Sequence, residues 1–262
     1  MWEPQPSLTL RERFIHCDQS CGRKSDSFLC EAKYNSIDPG FEYRGEELLQ
    51  NAQCVCFIGV NPGPDGKGPI SATAFFISDT MLLTAGHVAP DSKRRIIAQP
   101  PGTREARIFV EELFDDELKI PKFECEVVGT GHPNVDISIL RVKGDWRPER
   151  HLSIKRKVVH QGEKIDVIGY PGNYSDRYIK KMHGGGVDRK AIDAVNQLFP
   201  KCELIVSHGE MSSPGIMPTY SLSTVNGMSG SPVIMSGEVI GRSHQRNSTD
   251  SCRCSSWALR DS

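Results

Sequence analysis

From Cys54 onward, the sequence is a series of short β-rich runs separated by stretches that contain glycine, proline, asparagine and aspartate. Runs of this length with regular turn signals between them are typical of all-β barrels and sandwiches. In the first half, the runs are residues 54–60, 71–78, 81–84, 94–99, 107–110, 123–129 and 137–142. In the second half, they are residues 164–170, 178–183, 203–208, 220–225, 232–235 and 238–241. Residues 188–198 instead have apolar residues at helical spacing after an aspartate, which predicts a short helix.

Composition divides the 262-residue chain into three parts. Residues 1–50 are polar and interrupted by proline and glycine, which predicts an irregular extension with a short helical turn at 46–49. The polar segment 144–148 separates the two β-rich halves. We therefore expect an N-terminal extension at 1–50, a first β lobe at 51–148 and a second β lobe at 149–262.

Charge and hydropathy exclude several classes of protein. The net charge is −1, so neither a nucleic-acid groove nor a membrane surface is expected as a partner. No apolar run approaches the roughly 18 residues needed to span a bilayer. The first residues lack the basic start and apolar stretch of a signal peptide. These observations predict an intracellular, cytoplasmic protein.

The cysteine pattern predicts unpaired thiols, because the count is odd and no secretory signal is found. Cys54 and Cys56 lie two apart on a predicted strand, so they share a face and cannot easily pair. The alternative is a zinc site, for which Cys17-x3-Cys21 has suitable spacing and Cys252-x-Cys254 is too short. The nine cysteines are Cys17, Cys21, Cys30, Cys54, Cys56, Cys125, Cys202, Cys252 and Cys254. We expect no metal and no cofactor.

Ser229 lies between glycines in the stretch Asn226-Gly227-Met228-Ser229-Gly230-Ser231-Pro232. Glycine allows positive φ and lets the backbone approach a ligand without a Cβ in the way. Such a tight loop can also direct consecutive N–H groups at one point, where an oxyanion would sit. Taken alone, the stretch is more typical of a surface turn before a strand, so its interpretation depends on residues upstream.

A serine nucleophile needs a base, and the base needs an acceptor that orients it. His87 follows the apolar run 81–86, which places an imidazole at the end of a strand and at the lip of a barrel. Asp136 precedes the apolar run 137–140, where a half-desolvated carboxylate favours a strong donor such as an imidazole N–H. The alternatives are a solvated loop histidine and an aspartate that caps a turn.

These candidates occur in the order His, Asp, Ser, which is the order of the chymotrypsin arrangement. The separations are 49 residues (136 − 87) and 93 residues (229 − 136), so histidine and aspartate fall in the first lobe and serine in the second. Segments 84–87, 136–140 and 227–232 resemble the three signatures of trypsin-like serine peptidases. The resemblance covers roughly residues 54–245. It is closer to the glutamyl-endopeptidase, HtrA-like and fungal trypsin-like branches than to digestive trypsins.

The resemblance implies two six-stranded antiparallel β-barrels with an active site in the cleft between them. It implies that Ser229 is the nucleophile, His87 the general base and acid, and Asp136 the residue that orients the histidine. The backbone N–H groups of Gly227 and Ser229 would form the oxyanion hole. The implied activity is hydrolysis of peptide bonds in a protein or peptide substrate through an acyl-enzyme.

Two positions depart from the digestive enzymes. Met228 stands where those enzymes have an aspartate that pairs with a newly cut N-terminus, so that activation route cannot operate here. Ser223 stands where trypsins that cleave after basic residues have an aspartate, which disfavours a basic preference. Thr224, Ser243 and His244 lie where glutamyl endopeptidases bind an acidic side chain. An acidic, a small or an apolar residue before the scissile bond all remain open.

Two other functions are consistent with parts of the sequence. One is a catalytically weak or inactive trypsin-like module that binds peptides. All three triad positions are intact, which argues against this alternative. The other is an esterase on a different fold. It is disfavoured because α/β-hydrolases have the order Ser, Asp, His and a helix after the serine, and no strong helical pattern follows Ser229.

Overall fold

The structure is a computed structural model, and its description covers part of the chain. The described residues are 11–12, 41–61, 68–89, 94–101, 109–131, 135–154, 159–172, 175, 189, 192–193, 196, 201–213, 219–221, 224, 226–244 and 253–256. The strands and helices, in chain order, are β1 (Arg11–Glu12), α1 (Phe41–Ala52), β2 (Val55–Val60), β3 (Ile70–Phe76), β4 (Met81–Ala85), β5 (Ile96–Ala98), α2 (Val110–Leu113), β6 (Phe123–Thr130), β7 (Ile137–Val142), β8 (Lys164–Gly169), β9 (Ile205–Ser213), β10 (Thr219–Ser221), β11 (Pro232–Met235), β12 (Glu238–His244) and β13 (Arg253–Ser256).

The first lobe is a closed six-stranded barrel. Its strands pair in the order β2-β3-β4-β7-β6-β5, and β5 pairs back to β2. Each of these pairings is antiparallel. Closure leaves no free sheet edge, which is one way in which all-β proteins avoid edge-to-edge association. The prediction of an all-β fold with a six-stranded antiparallel barrel is confirmed for this lobe.

Strand β2 explains how the two lobes pack, because all six of its residues are buried. Cys56 and Ile58 on one face pack among residues of the barrel's own strands. Phe57 on the other face packs with Ile168 and Tyr170 of the second lobe, and the Phe57 and Tyr170 rings meet edge to face at 5.6 Å. Each large apolar side chain buried this way contributes about 1.5–3 kcal/mol. The continuous apolar run of β2 therefore marks a strand covered on both faces.

The second lobe is a seven-stranded sheet in the order β1-β9-β10-β13-β12-β11-β8. Strand β8, the last in this order, pairs with β11 and also with β9, which is the second strand in the order. The short β1 adds to β9 in parallel, and the other pairings are antiparallel. The second lobe is thus also built from antiparallel β-structure, which supports the predicted fold class.

Two local predictions differ from the structure. The helical turn predicted at 46–49 is part of the longer helix α1, whose Leu48 and Ala52 are buried in the core shared by the lobes. The strand predicted at 107–110 is wrong at its end, because Val110 begins helix α2. There the Glu112 carboxylate accepts the Phe109 N–H at 2.5 Å, an interaction that favours a helix start over a strand.

Parts of the sequence-based prediction lie outside the described residues. They are the strand at 178–183, most of the helix at 188–198 and the end of the strand at 220–225. The described positions within 188–198 are helical, and Arg189 forms an ion pair with Asp193 at 3.0 Å one helical turn away. Among the described helices, none is both long enough and apolar enough to span a membrane.

Candidate active site

His87 and Asp136 are brought together by the pairing of β4 with β7. Ala85, the last residue of β4, is registered against Ile137, the first residue of β7. His87 lies two residues beyond one strand end and Asp136 lies one residue before the other. The side chains therefore share the same rim of the barrel, where His87 is 45% exposed and Asp136 is 18% exposed.

The imidazole of His87 is held by the Asp136 carboxylate. Nδ1 lies 3.0 Å from Oδ2 and 3.2 Å from Oδ1, and the backbone N–H of His87 donates to Oδ1 at 2.7 Å. An ionised carboxylate can only accept, so Nδ1 carries the proton in these contacts. That tautomer leaves Nε2 as the basic nitrogen of a neutral ring, which is the form a general base requires.

The backbone of this pair is unusual in conformation. Asp136 has φ of 51°, in the left-handed region that few non-glycine residues adopt, although aspartate is among those that tolerate it. Its carbonyl accepts the Gly86 N–H at 2.6 Å. A Cβ at position 86 would lie 2.8 Å from the Asp136 carbonyl carbon, so only glycine fits beside it. The Gly86-His87 sequence is thus required for this approach.

The loop that carries Ser229 is anchored to the first barrel by Thr73, which is fully buried in β3. The Thr73 N–H donates to the Ser229 carbonyl at 3.1 Å, and its hydroxyl donates to the Gly227 carbonyl at 3.1 Å. The same hydroxyl accepts the Tyr170 N–H at 2.9 Å. One residue of the first lobe therefore fixes two carbonyls of the serine loop, one through its backbone and one through its side chain, and that side chain also holds one strand end of the second lobe.

The amide between Asn226 and Gly227 is oriented by the segment that follows β8. The Gly172 N–H donates to the Asn226 carbonyl at 2.6 Å. In a trans peptide, the N–H points opposite to the carbonyl, so the Gly227 N–H points away from Gly172. Within the described residues, neither this N–H nor that of Ser229 donates to another protein group.

Gly227 cannot be replaced without disturbing this arrangement. Its φ is 97°, and an added Cβ would overlap the backbone of Gly172. The segment 171–172 therefore packs directly against the serine loop. On the other side of that loop, an added Cβ at Gly230 would lie 3.0 Å from the Ala85 nitrogen. Ser229, which is 7% exposed, thus lies in a loop that abuts the strand leading to His87.

The other predicted site residues are placed as follows. Ser223 lies outside the described residues, and Thr224 is 4% exposed. Ser243 is 1% exposed, and its Oγ accepts a hydrogen bond from the Tyr220 hydroxyl at 3.0 Å. His244 ends β12. Their role in substrate binding stays a prediction.

Met228, the departure from digestive enzymes, is fully buried. An apolar side chain thus occupies the interior behind the serine loop. A buried carboxylate at that position would need a cation as its partner, whereas a methionine packs without one. The serine loop therefore has its observed conformation without an ion pair at position 228.

Arg242 is a site residue that the sequence analysis missed. It lies on β12, is fully buried, and its Nη2 lies 3.1 Å from Asp136 Oδ2 and 2.8 Å from the Val135 carbonyl. The signal in the sequence is an arginine within the apolar run Glu238-Val239-Ile240-Gly241-Arg242, where arginine is rare unless it is paired.

The described thiols are free and buried. Burial raises the pKa of Cys54 to about 11 and the pKa values of Cys125 and Cys202 to about 12, and it raises that of Cys56 well above its usual value. Thiols of this kind are poor nucleophiles and poor metal ligands at neutral pH. Among the residues with described side chains, no group of three or more His, Cys, Asp or Glu could hold a metal. The clusters around Cys17 and Cys252 lie outside that set.

Comparison with known proteins places these observations in context. A family model described as a trypsin-like peptidase domain matches residues 72–241. The solved structure titled Deg5 is 13% identical with a TM-score of 0.55, and the match covers 85% of this chain and 92% of that one. The active form of the Rv3671c protease from M. tuberculosis is 18% identical with a TM-score of 0.54, over 85% of this chain and 84% of that one. At these identities, the structural likeness shows the fold. Among curated protein sequences, none matches significantly.

Proposed function

The chain belongs to the family of trypsin-like peptidase domains, and on that premise we propose that it is a serine endopeptidase that works through an acyl-enzyme on Ser229. The Ser229 hydroxyl attacks the substrate carbonyl carbon while its proton passes to Nε2 of His87. His87 then gives that proton to the leaving amine as the C–N bond breaks. A water molecule then attacks the acyl-enzyme with His87 again as base, and Ser229 leaves with its proton restored as the acid product is released.

The observation that carries the proposal is the contact between His87 and Asp136. The 3.0 Å distance from Nδ1 to Oδ2 supports a neutral imidazole whose Nε2 is the basic nitrogen. The carboxylate also stabilises the imidazolium that forms when the serine proton is taken up. A solvated loop histidine, the alternative at this position, would have no need of a carboxylate on Nδ1.

The backbone of the serine loop supports the second half of the mechanism. The Gly227 and Ser229 N–H groups would donate to the oxyanion that develops on the substrate carbonyl oxygen. The bond from Gly172 to the Asn226 carbonyl supports this role, because it favours the orientation in which the Gly227 N–H is available. Removing one such donor typically costs about 10²–10³-fold in turnover.

Substrate choice follows from the residues near the loop. We propose that Ser223, Thr224, Ser243 and His244 line the pocket for the residue before the scissile bond. Without an aspartate at position 223, basic residues are disfavoured, and acidic, small or apolar residues are the candidates. The backbone of residues 241–244 would pair with the substrate as an added β-strand.

A fluorophosphonate probe tests the nucleophile directly, because it labels only a serine activated by a base. We expect one label per active molecule, lost in Ser229→Ala and retained in Ser231→Ala. Ser231 is a matched control, since it lies two residues away, is fully buried, and its hydroxyl has no hydrogen-bond partner in the described part of the chain.

Labelling should be accompanied by cleavage of an unstructured protein such as casein, again lost only in Ser229→Ala. A folded wild-type protein that takes no label and cleaves no peptide in a mixed library would overturn the proposal. That outcome would favour a trypsin-like module that binds peptides without hydrolysing them.

A further inference from the structure

Arg242 connects the two lobes at the Asp136 carboxylate. Its Nη2 forms an ion pair with Asp136 Oδ2 at 3.1 Å and donates to the Val135 carbonyl at 2.8 Å, and its side chain has no exposed surface. The same Oδ2 lies 3.0 Å from His87 Nδ1. One carboxylate oxygen is therefore shared between an imidazole from the first lobe and a guanidinium from the second.

Burial of this arginine demands a counter-charge. Removing a guanidinium from water costs several kcal/mol, which is recovered only with good geometry and hydrogen bonds. Asp136 supplies the charge, and the Val135 carbonyl takes up a further donor. The β12 backbone beside Arg242 is fixed in turn, because Ser243 donates its N–H to the Ser231 carbonyl at 2.7 Å and accepts the Gly230 N–H at 3.2 Å. The guanidinium is thus attached to the same strand that holds the serine loop.

We propose that Arg242 is a positioning residue for the proposed peptidase: it fixes the Asp136 carboxylate against His87 and partly neutralises its charge. This inference rests on the proposed function. Because the carboxylate bonds both Nδ1 and the His87 N–H, its rotation would move the imidazole away from Ser229. The two bonds from Arg242, to residues 135 and 136, oppose such rotation from outside the barrel.

The charge of Arg242 has a separate consequence for catalysis. Two ionisable groups that contact the Asp136 carboxylate are His87, beyond the end of β4, and Arg242, on β12. A cation beside the carboxylate reduces the stabilisation that it gives to an imidazolium. Arg242 therefore offsets part of the carboxylate charge that acts on the imidazole, and its removal should affect turnover more than substrate binding.

The test compares Arg242→Gln, which removes the charge but keeps an amide donor, with Arg242→Lys, which keeps the charge. Arg141→Gln is the matched control, since Arg141 is an exposed residue of β7 that pairs with Glu126 at 3.4 Å. Rates are normalised to active sites titrated with a fluorophosphonate, so that loss of folded protein does not count as loss of activity.

In Arg242→Gln, we expect kcat to fall about 10- to 100-fold with KM little changed, as for a small misplacement of catalytic groups. In Arg242→Lys, kcat should fall less, again with KM little changed. Arg141→Gln should change neither.

An Arg242→Gln variant with wild-type kcat would overturn the inference while the peptidase itself stands. A wild-type chain with no label and no cleavage would instead overturn the proposed function. If the glutamine variant does not fold, the lysine variant decides. A single ammonium cannot reproduce the planar guanidinium contacts, so undiminished kcat in Arg242→Lys would show that positioning is not needed.

Discussion

The two lobes contribute to the candidate site in different ways. The first barrel supplies ionisable side chains, His87 and Asp136, which stand at the ends of the paired strands β4 and β7. The second lobe carries the loop around Ser229, whose backbone N–H groups would serve as donors under the proposed function. The first contribution depends on which residues stand at two positions. The second depends on how a whole loop is oriented, so the two should fail in different ways when mutated.

Each lobe also stabilises a part of the site that belongs to the other lobe. Thr73 of the first barrel holds two carbonyls of the serine loop, and Arg242 of the second lobe holds the Asp136 carboxylate. Each half of the site is therefore fixed partly by the opposite lobe. Three kinds of variant separate these contributions: one changes a side chain of the first barrel, one changes the backbone of the serine loop, and one removes a contact between the lobes.

Asp136→Asn tests the contribution of the first barrel and should have the largest effect of these changes. An amide NH₂ in place of a carboxylate oxygen favours the wrong imidazole tautomer and removes the charge that stabilises imidazolium, so kcat should fall about 10⁴-fold. The measurement is active-site-normalised hydrolysis of a peptide substrate. Asp145→Asn, at an exposed position in the segment between the lobes, is the control. A loss below tenfold would mean that the Asp136 carboxylate does not orient the base.

Gly227→Ala tests the backbone contribution of the second lobe. The added Cβ would overlap Gly172 at a φ of 97°, so the Gly227 N–H must move, and kcat should fall about 10²–10³-fold. Gly144→Ala is the matched control, because Gly144 has φ of 79° and open space around its Cβ position. That control should cost about 1 kcal/mol of stability with unchanged kcat. Equal losses of activity in both variants would contradict a specific role for the serine loop.

Thr73→Val tests the support between the lobes and should have the smallest effect on rate. Valine keeps the shape but leaves the Gly227 carbonyl and the Tyr170 N–H without their partner, at a cost of about 1–3 kcal/mol in unfolding free energy. Denaturant unfolding measures that cost, and kcat should fall less than tenfold. The control is Thr84→Val, which removes a single bond to the Thr73 carbonyl within the barrel. It should destabilise less, and the opposite ranking would assign the support elsewhere.

Strand positions were predictable where pattern alone decides them. The bounds 137–142 and 232–235 coincide with β7 and β11, because apolar runs ended by turn residues leave few other structures. The strand predicted at 107–110 failed at its end because one local contact, from Glu112 to the Phe109 N–H, favours a helix there. Local hydrogen bonds of this kind compete with periodicity and are not visible in it.

The candidate site shows the same division. The contact between His87 and Asp136 could be predicted from sequence, because a histidine that acts as base needs a carboxylate to accept its Nδ1–H and orient its ring. Thr73 and Arg242 could not be identified, since their contacts join residues 154 and 107 positions apart. Only the packing of one lobe on the other brings these groups together. The sequence indicated the two ionisable residues of the site, and the structure indicated the residues that fix their position and that of the serine loop.

The segment between the lobes, residues 144–148, is largely exposed apart from Trp146, which packs against the first barrel, and it carries none of the candidate-site contacts described above. If the chain were cut there, Ser229 would be separated from Thr73, and Asp136 would be separated from Arg242. Each fragment would contain part of the machinery and lack the group that orients it. Activity would then report reassembly of the two fragments, which makes this segment the natural place to divide the protein into a complementation pair.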